Sequence, residues 1–551
     1  MTTVTQTPDV SVVVAVYNTM PYLTECLDSL VGQSIGLPRL EIIAVDDGST
    51  DGSGEELDRY AERYPDTVKV LHQPNSGGPA TPSNRALDQA TGRFVYFVGA
   101  DDRLGPEALE RLVRAADEHD SDIVIGKMVG AGGRYVHQAL FTETRPEVTF
   151  TDSALPWTLS NCKLFRRELV ERHGLRFPED MRVGSDQPFT IEACFRARRV
   201  SVLADYEYYH AVRRADSGNI TFASTQQAHL DCAERLLEFT AGLLPPGPAR
   251  DAIAVRHFTW EVAKPLRTEF LDYPPDEQEK LVARIRDLSD RHLTEAIRAA
   301  IDVRWRVRLS LAQRGAMDDL KEAIRQDAEG AGPPIVLAAG RAHLRYSGFG
   351  TESPEYPDAW FVADGDLAGR LGQGLGVSSL AWQDGEGKPV LAVTARLPLA
   401  GEGALDPAVV RAGVVPVPGR HVPAPRRLDV PPEIEPVRQV TCTPAPDGTG
   451  TDVRIGIPVA PLIEAQADRP GRYSVRLYVV VGGATYEVPL PMAGFPPQLR
   501  RWYRARPYRV SVMENPKGRL LIAIAPIRAS RVVRQRLRRL VPAARKEMSS
   551  S

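Results

Sequence analysis

Short apolar runs alternate with segments of helical spacing through the first hundred residues. "VSVVVAVYN" (10–18) is continuous, short and β-branched, the pattern of a strand buried on both faces. "MPYLTECLDSLVGQ" (20–33) then places apolar residues at helical spacing. "LEIIAVDDGSTDGS" (40–53) predicts a second strand running into a polar turn, and "GEELDRYAERY" (54–64) a helix. "VKVLHQPN" (68–75) predicts a third strand, "GGPATPSNRALDQA" (77–90) a loop entering a helix, and "RFVYFVGADD" (93–102) a fourth strand. Strands alternating with helices predict a parallel α/β sheet with crossover connections. In such sheets ligands bind beyond the carboxyl ends of the strands. Tyr17-Asn18, Asp46-Asp47-Gly48-Ser49, Asn75 to Gly78 and Asp101-Asp102 all fall at those ends.

The pattern turns helical from about Phe222 to Glu329, in "HLDCAERLLEFTAGLL", "EQEKLVARIRDLSDRHLTEAIRAAI" and "MDDLKEAIRQDAE". After "GAGPP" (330–334) it becomes β-branched segments between Gly/Pro turns, clearest in "YSVRLYVVVGGATYEVPLP". The expected division is 1–222 for the α/β domain, 223–330 for a helical linker, 331–430 and 431–527 for two β-sandwich modules. A Pro-rich stretch, "VVPVPGRHVPAPRRLDVPPE", separates the modules. Residues 528–551 form a basic tail in which arginines surround Val532, Val533, Leu537 and Leu540. Such a helix can lie on an anionic membrane surface, and reads equally as a solvated helix or frayed end.

Composition narrows the chemistry. At 551 residues the chain exceeds one core, and 43% apolar with 25% charged residues is ordinary for a globular protein. A net charge of -3 gives no sign of a dedicated nucleic-acid binder. Five scattered cysteines without CxxC or Cys/His spacing argue for a reducing compartment and against structural zinc. With no basic n-region and no apolar run long enough to span a bilayer, a cytoplasmic protein is expected.

The carboxylate pair Asp101-Asp102 ends an apolar strand, so it emerges at the functional rim. Carboxylates suit a hard divalent cation, Mn²⁺ or Mg²⁺, that bridges phosphate oxygens. Taken alone the pair also reads as the cap of the following helix. "NSGGPATPSNRA" lacks the lysine and spacing of a P-loop, and no G-x-G-x-x-G follows the first strand.

The ordered series VSVVVAVYN, IIAVDDGSTD, NSGG…PSNRAL and GRFVYFVGADD resembles the GT-A nucleotide-sugar domain of the inverting family 2 glycosyltransferases. It continues through "NCKLFRRELVERHGLRFPED" and "VGSDQPFTIEACFRA" to "YYHAVRRADSGNIT". The resemblance implies that Val16, Tyr17, Asn18, Asp46 and Asp47 border the uracil and ribose, with Asn75, Gly77, Gly78 and Asn84 lining the nucleotide. It implies Asp101 on the diphosphate metal with Asp102 behind it, His210 and Arg213 near the diphosphate, and His210 completing the metal shell. Asp186 falls at the family's catalytic base. Trp157 is a candidate sugar platform or a core ring, and Lys163 and Arg166 support the acceptor side. Three positions depart from the pattern: Gly99 and Ser185 where many relatives carry acids, and Pro82-Ser83 where many carry Arg before Asn84.

The domain order resembles the poly(ribitol-phosphate) glycosyltransferases that decorate wall teichoic acid. That implies a UDP-sugar donor, a polyanionic polyol-phosphate or polysaccharide acceptor, and homo-oligomerisation through the C-terminal modules. "RRWYRARPYR" (500–509) is a candidate phosphate contact or a solvated edge strand. A capsular or lipid-linked glycan as acceptor, or a binding scaffold without catalysis, are the alternatives.

Overall fold

The computed structural model of the protein describes residues 7–215, 225–329, 332–350 and 356–527, apart from positions 364, 366, 386–387, 402–404, 407, 418–421, 429–438, 467–468 and 504–505. The basic tail and the expected boundary at 222 lie outside the described residues. The chain divides into two compact units, one of residues 1–301 with 312–315 and one of residues 302–311 with 316–551. The helical section is therefore shared between the units. Among the described residues no helix is long and apolar enough to cross a membrane.

In the first unit the four predicted strands are β1 (Val10–Val16), β2 (Leu40–Asp46), β3 (Val68–His72) and β4 (Phe94–Gly99). They pair in parallel in the order β3-β2-β1-β4. Register aligns their ends: Val16 lies beside Asp46, Asp46 beside His72, and Ala15 beside Gly99. The polar residues that follow each strand consequently meet on one rim. The sheet continues through β8 (Leu164–Arg166), β6 (Ile123–Gly126) and β9 (Val200–Leu203), with β8 antiparallel to both neighbours. Helices α1 (Tyr22–Val31), α2 (Ser53–Arg63) and α3 (Ala80–Leu87) supply the crossovers.

Two features set the site. A small second sheet, β5 (Arg103–Leu104), β10 (Tyr209–Val212) and β7 (Met128–Ala131), stands beside the end of β4. An aromatic cluster fixes helix α6 (Asp186–Arg196) against the main sheet. Phe189, one turn past Asp186, stacks on Phe177 at 4.4 Å and meets Phe97 of β4 edge-on at 5.4 Å. These rings are buried and rigid, so they set Asp186 at a constant offset from Asp101, four residues beyond Phe97.

The second unit is β-rich and almost wholly antiparallel. Strands Gly376–Gly385 and Lys388–Leu397 pair onward with Thr451–Pro458 and Gln439–Pro444. Val410–Pro416 pairs with Gly471–Val481, and Arg426–Leu428 with Ala484–Pro489. Strand pairing thus crosses residue 430, and the expected module boundary there is not a break between sheets. The Gly-Gly turn is present as read: Gly482 (φ 58) and Gly483 (φ 77) join two strands in the left-handed geometry that a two-residue hairpin needs. Among the described residues Leu499–Tyr503 pairs only with Arg506–Glu514 and is an edge strand, whereas Arg506–Glu514 also pairs with Leu520–Pro526, so only the first part of "RRWYRARPYR" lies on an edge.

Candidate active site

The rim at the ends of β1 and β2 is shaped by carboxylates that bind loops. Asp46 accepts from the Ser49 backbone N–H (3.0 Å) and meets His72 Nδ1 at 3.0 Å. Burial pushes its carboxyl up, but Ser49 and His72 outweigh burial and hold it below its usual range. Asp47 accepts from Gln73 Nε2 (2.6 Å), the Ser76 backbone N–H (3.1 Å) and Ser76 Oγ (2.9 Å), which draws the 75–78 loop over the end of β2. Gly77 (φ 88) donates to Asn75 Oδ1 at 2.7 Å, a turn conformation that only glycine adopts cheaply. Asn18, itself left-handed at φ 49, donates its N–H to Ser49 Oγ and accepts from Thr50 N. Val16 is buried and contributes through its backbone, accepting from Asp47 N at 2.8 Å. The Tyr17 ring, 50% exposed, is the large apolar surface left open here.

Asn84 does not face this space. Its amide nitrogen donates to Phe177 O and Glu179 Oε1, both at 2.9 Å, and its oxygen accepts from Phe177 N. Both donors are spent on clamping the 177–179 loop, so its hydrogen bonding is that of a structural residue. Glu179 also accepts from Thr81, and Asp180 pairs with Arg235, which occupies the two acids that precede Asp186 in the chain.

At the end of β4 the two neighbouring carboxylates have different tasks. Asp102 is buried: its Oδ2 accepts from the Tyr209 hydroxyl (2.5 Å) and its Oδ1 from Val212 N (2.7 Å). The Tyr209 hydroxyl in turn accepts from Gly99 N (3.1 Å), and Arg134 stands 3.6 Å from Asp102. Burial, then Asp101, pushes the Asp102 carboxyl up to about 6. Asp102 therefore ties the second sheet to the first, and Asp101, partly exposed beside it, is the carboxylate presented at the rim.

Gly99 now has a physical reason. A Cβ there would lie 2.8 Å from Asp102 Oδ2, 3.2 Å from Asp101 Oδ1 and 3.3 Å from the Tyr209 hydroxyl. An acid at 99 would press a third carboxylate into this lattice. Gly99→Ala is expected to displace Asp102 and cost about 1–3 kcal/mol of stability. Thermal denaturation read beside wild type checks this, and an unchanged Tm refutes it.

On β10, Tyr209 and His210 point to opposite sides of the strand. Alternate strand residues face opposite ways, and Tyr209 is the residue of β10 that reaches Asp102. His210 instead lies opposite Arg103 in the pairing, near Glu25 and Glu207, and burial followed by Arg103 lowers its pKa. Among the described residues no group of three or more His, Cys, Asp or Glu is arranged to hold a metal. Asp102 is bonded at both oxygens, and Asp101, partly exposed, is the carboxylate of the pair that could hold a hard divalent ion. Arg213 donates its backbone N–H to Ala131 O, while Arg214 reaches across the rim to Asn18 O at 3.0 Å.

Asp186 opens α6. Gly184 (φ 71) before it is packed so closely that a Cβ would meet Cys232 Sγ at 2.7 Å. Burial raises the Asp186 pKa, and Glu261 adds to this; Lys163 and Arg256 oppose it. Lys163 is wholly buried and donates to Ser160 O. Arg166 pairs beside Phe94, at the far end of β4, and binds Asp122, so it does not reach the site. Burial and then Asp102 push the Cys162 thiol up to about 11, and Asp186 adds to this, so both carboxylates act on the same thiol.

Residues from the helical section complete the wall. Arg256, on the helix Pro248–His257, donates to Gln187 Oε1 at 2.7 Å and pairs with Glu261 in the π-helical turn Phe258–Val262. The sequence pattern shows these only as helix positions, because their partners lie some seventy residues away.

The glycosyl transferase family 2 pattern matches residues 11–206, and the glycosyl transferase TarS linker domain pattern matches 229–324. An uncharacterised glycosyltransferase of Bacillus subtilis, EpsJ, is 34% identical over 40% of this chain and 67% of its own length. The chain belongs to glycosyl transferase family 2. The poly(ribitol-phosphate) beta-glucosyltransferase of Bacillus spizizenii is 42% identical over 37% of this chain, a match that spans 32% of the relative's length. The solved structure of Staphylococcus aureus TarS 1–349 in complex with UDP-GlcNAc is 29% identical, covers 63% of this chain and 98% of that one, and superposes with a TM-score of 0.55.

Proposed function

We propose that this family 2 domain transfers a hexosyl or N-acetylhexosaminyl group from a UDP-sugar to a hydroxyl of a polyol-phosphate wall polymer. The observation that carries the reading is the packing of Phe189 of α6, the helix that Asp186 opens, on Phe97 of β4, the strand that Asp101 follows, within the residues that match family 2. The donor class is supported by the UDP-GlcNAc complex of the structural relative, and the acceptor class by the poly(ribitol-phosphate) relative.

In the transfer, the acceptor oxygen bonds to the anomeric carbon as that carbon's bond to the diphosphate oxygen breaks. The bonding pair leaves with UDP, and the hydroxyl proton passes to Asp186. A partly buried carboxylate with a raised pKa is a better proton acceptor than one in water. Asp101 is the residue that would hold Mn²⁺ or Mg²⁺, which when bound offsets charge on the departing diphosphate. Asp46 and Asp47 keep the nucleotide loops in place, and Tyr17 offers its ring to the base.

The test is UDP release from UDP-glucose and UDP-GlcNAc, with and without Mn²⁺, in the presence of poly(ribitol-phosphate) analysed by mass. Expected are metal-stimulated UDP release and a polymer heavier by whole sugar residues. No release from either donor would overturn the reading.

A further inference from the structure

We propose that Tyr135 and Trp260, flanked by His137 and Trp157, form a stacking platform for sugar or polyol units of the acceptor chain. The proposal rests on the transferase reading above and concerns how the same site receives its second substrate.

Tyr135 and Trp260 come from segments far apart in sequence, yet their rings stack at 6.5 Å with an interplanar angle of 20°. Both remain open, Tyr135 at 70% and Trp260 at 40% exposure. Large rings held in register while facing water are the exception on a protein surface, and they mark contact sites. His137, two residues from Tyr135, stacks on Trp157 at 5.4 Å. The turn Leu155–Trp157 packs against the helix Pro248–His257 that leads to Trp260. Four rings therefore come from three segments that meet.

Their position selects the occupant. Arg134, next to Tyr135, reaches Asp102 at the diphosphate end of the cleft. Glu261, next to Trp260, pairs with Arg256, which holds Gln187 beside Asp186. The platform is thus joined on one side to the carboxylate pair and on the other to the base. A chain laid across it leads a hydroxyl toward Asp186. The negative face of an aromatic ring attracts the slightly positive C–H bonds along a sugar or polyol, and it tolerates successive identical units. Trp260 also sits in a π-helical turn, a local distortion frequent at functional sites.

The experiment uses the full chain with UDP-GlcNAc and UDP-glucose as donors and a poly(ribitol-phosphate) oligomer as acceptor. The double variant Tyr135→Ala/Trp260→Ala is expected to raise the half-saturating oligomer concentration about tenfold or more, as loss of a stacked ring pair does. UDP affinity and hydrolysis of the donor by water stay unchanged, and the Phe double variant restores wild-type saturation. Unchanged saturation in the Ala variant, with wild type active, overturns the platform alone. If the Ala variant has also lost UDP binding, Trp260→Leu decides, since it keeps bulk without a ring face. Wild-type saturation in Trp260→Leu then overturns the platform. If wild type itself transfers nothing to the oligomer, the acceptor reading falls and the platform with it.

Discussion

Asp186→Asn is expected to lower transfer by about 10²–10⁴-fold, the usual contribution of a positioned general base, while UDP still binds. The substitution keeps the shape of the group and removes its ability to take a proton. Asp186 starts α6, whose Phe189 is locked into the buried aromatic cluster, so the helix and the cleft stay in place. The wild-type pH profile provides a second reading. The base must be ionised, and burial raises its pKa above the ordinary 3.8, with Glu261 adding and Lys163 and Arg256 opposing. Activity therefore falls as pH drops through that raised value, and the acid limb of kcat lies above the range of a solvent-exposed aspartate. Glu261→Gln removes one of the groups that push it up and shifts the limb to lower pH. Wild-type turnover by Asp186→Asn would remove Asp186 from the role.

Asp101→Asn is expected to cost about 10²–10³-fold in transfer, the scale seen when charge stabilisation of a leaving group is removed. It should also abolish stimulation by Mn²⁺. The neighbouring Asp102→Asn makes the contrast. Asp102 accepts from Tyr209 and from Val212 N, so its loss loosens the second sheet and lowers Tm. Asp101→Asn leaves those two bonds intact and should lower Tm less than Asp102→Asn does. Rates measured against Mn²⁺ concentration, alongside thermal denaturation, separate the two aspartates. If Asp101→Asn keeps full metal stimulation, the ion is held elsewhere.

The four parallel strands of the first unit were legible because each is a continuous apolar run ending in polar residues, and parallel pairing brings those ends to one rim. Asp46, Asp47 and the Asn75–Gly78 loop could be located there on that basis. Asn84 and His210 were not legible in the same way. The direction of Asn84 depends on Phe177 and Glu179, more than ninety residues away. For His210 the alternation of β10 decides, and its phase is set by Tyr209 reaching Asp102. The boundary expected at residue 430 failed for a related reason: composition marks turns and linkers, whereas strand partners such as Val410–Pro416 and Gly471–Val481 are chosen by pairing across them.

By itself the sequence determined where strands and helices fall, which polar residues reach the rim, and that Gly99 interrupts an acidic run. Hydrophobic periodicity is a local property, and it survives without knowledge of neighbours. Only the tertiary structure decided which carboxylates are consumed in holding the fold and which face the cleft. That difference depends on hydrogen bonds and burial supplied by distant segments. Tyr209 and Val212 make Asp102 structural, Phe97 and Phe177 orient Asp186 through Phe189, and the turn bearing Trp260 closes the wall beside it.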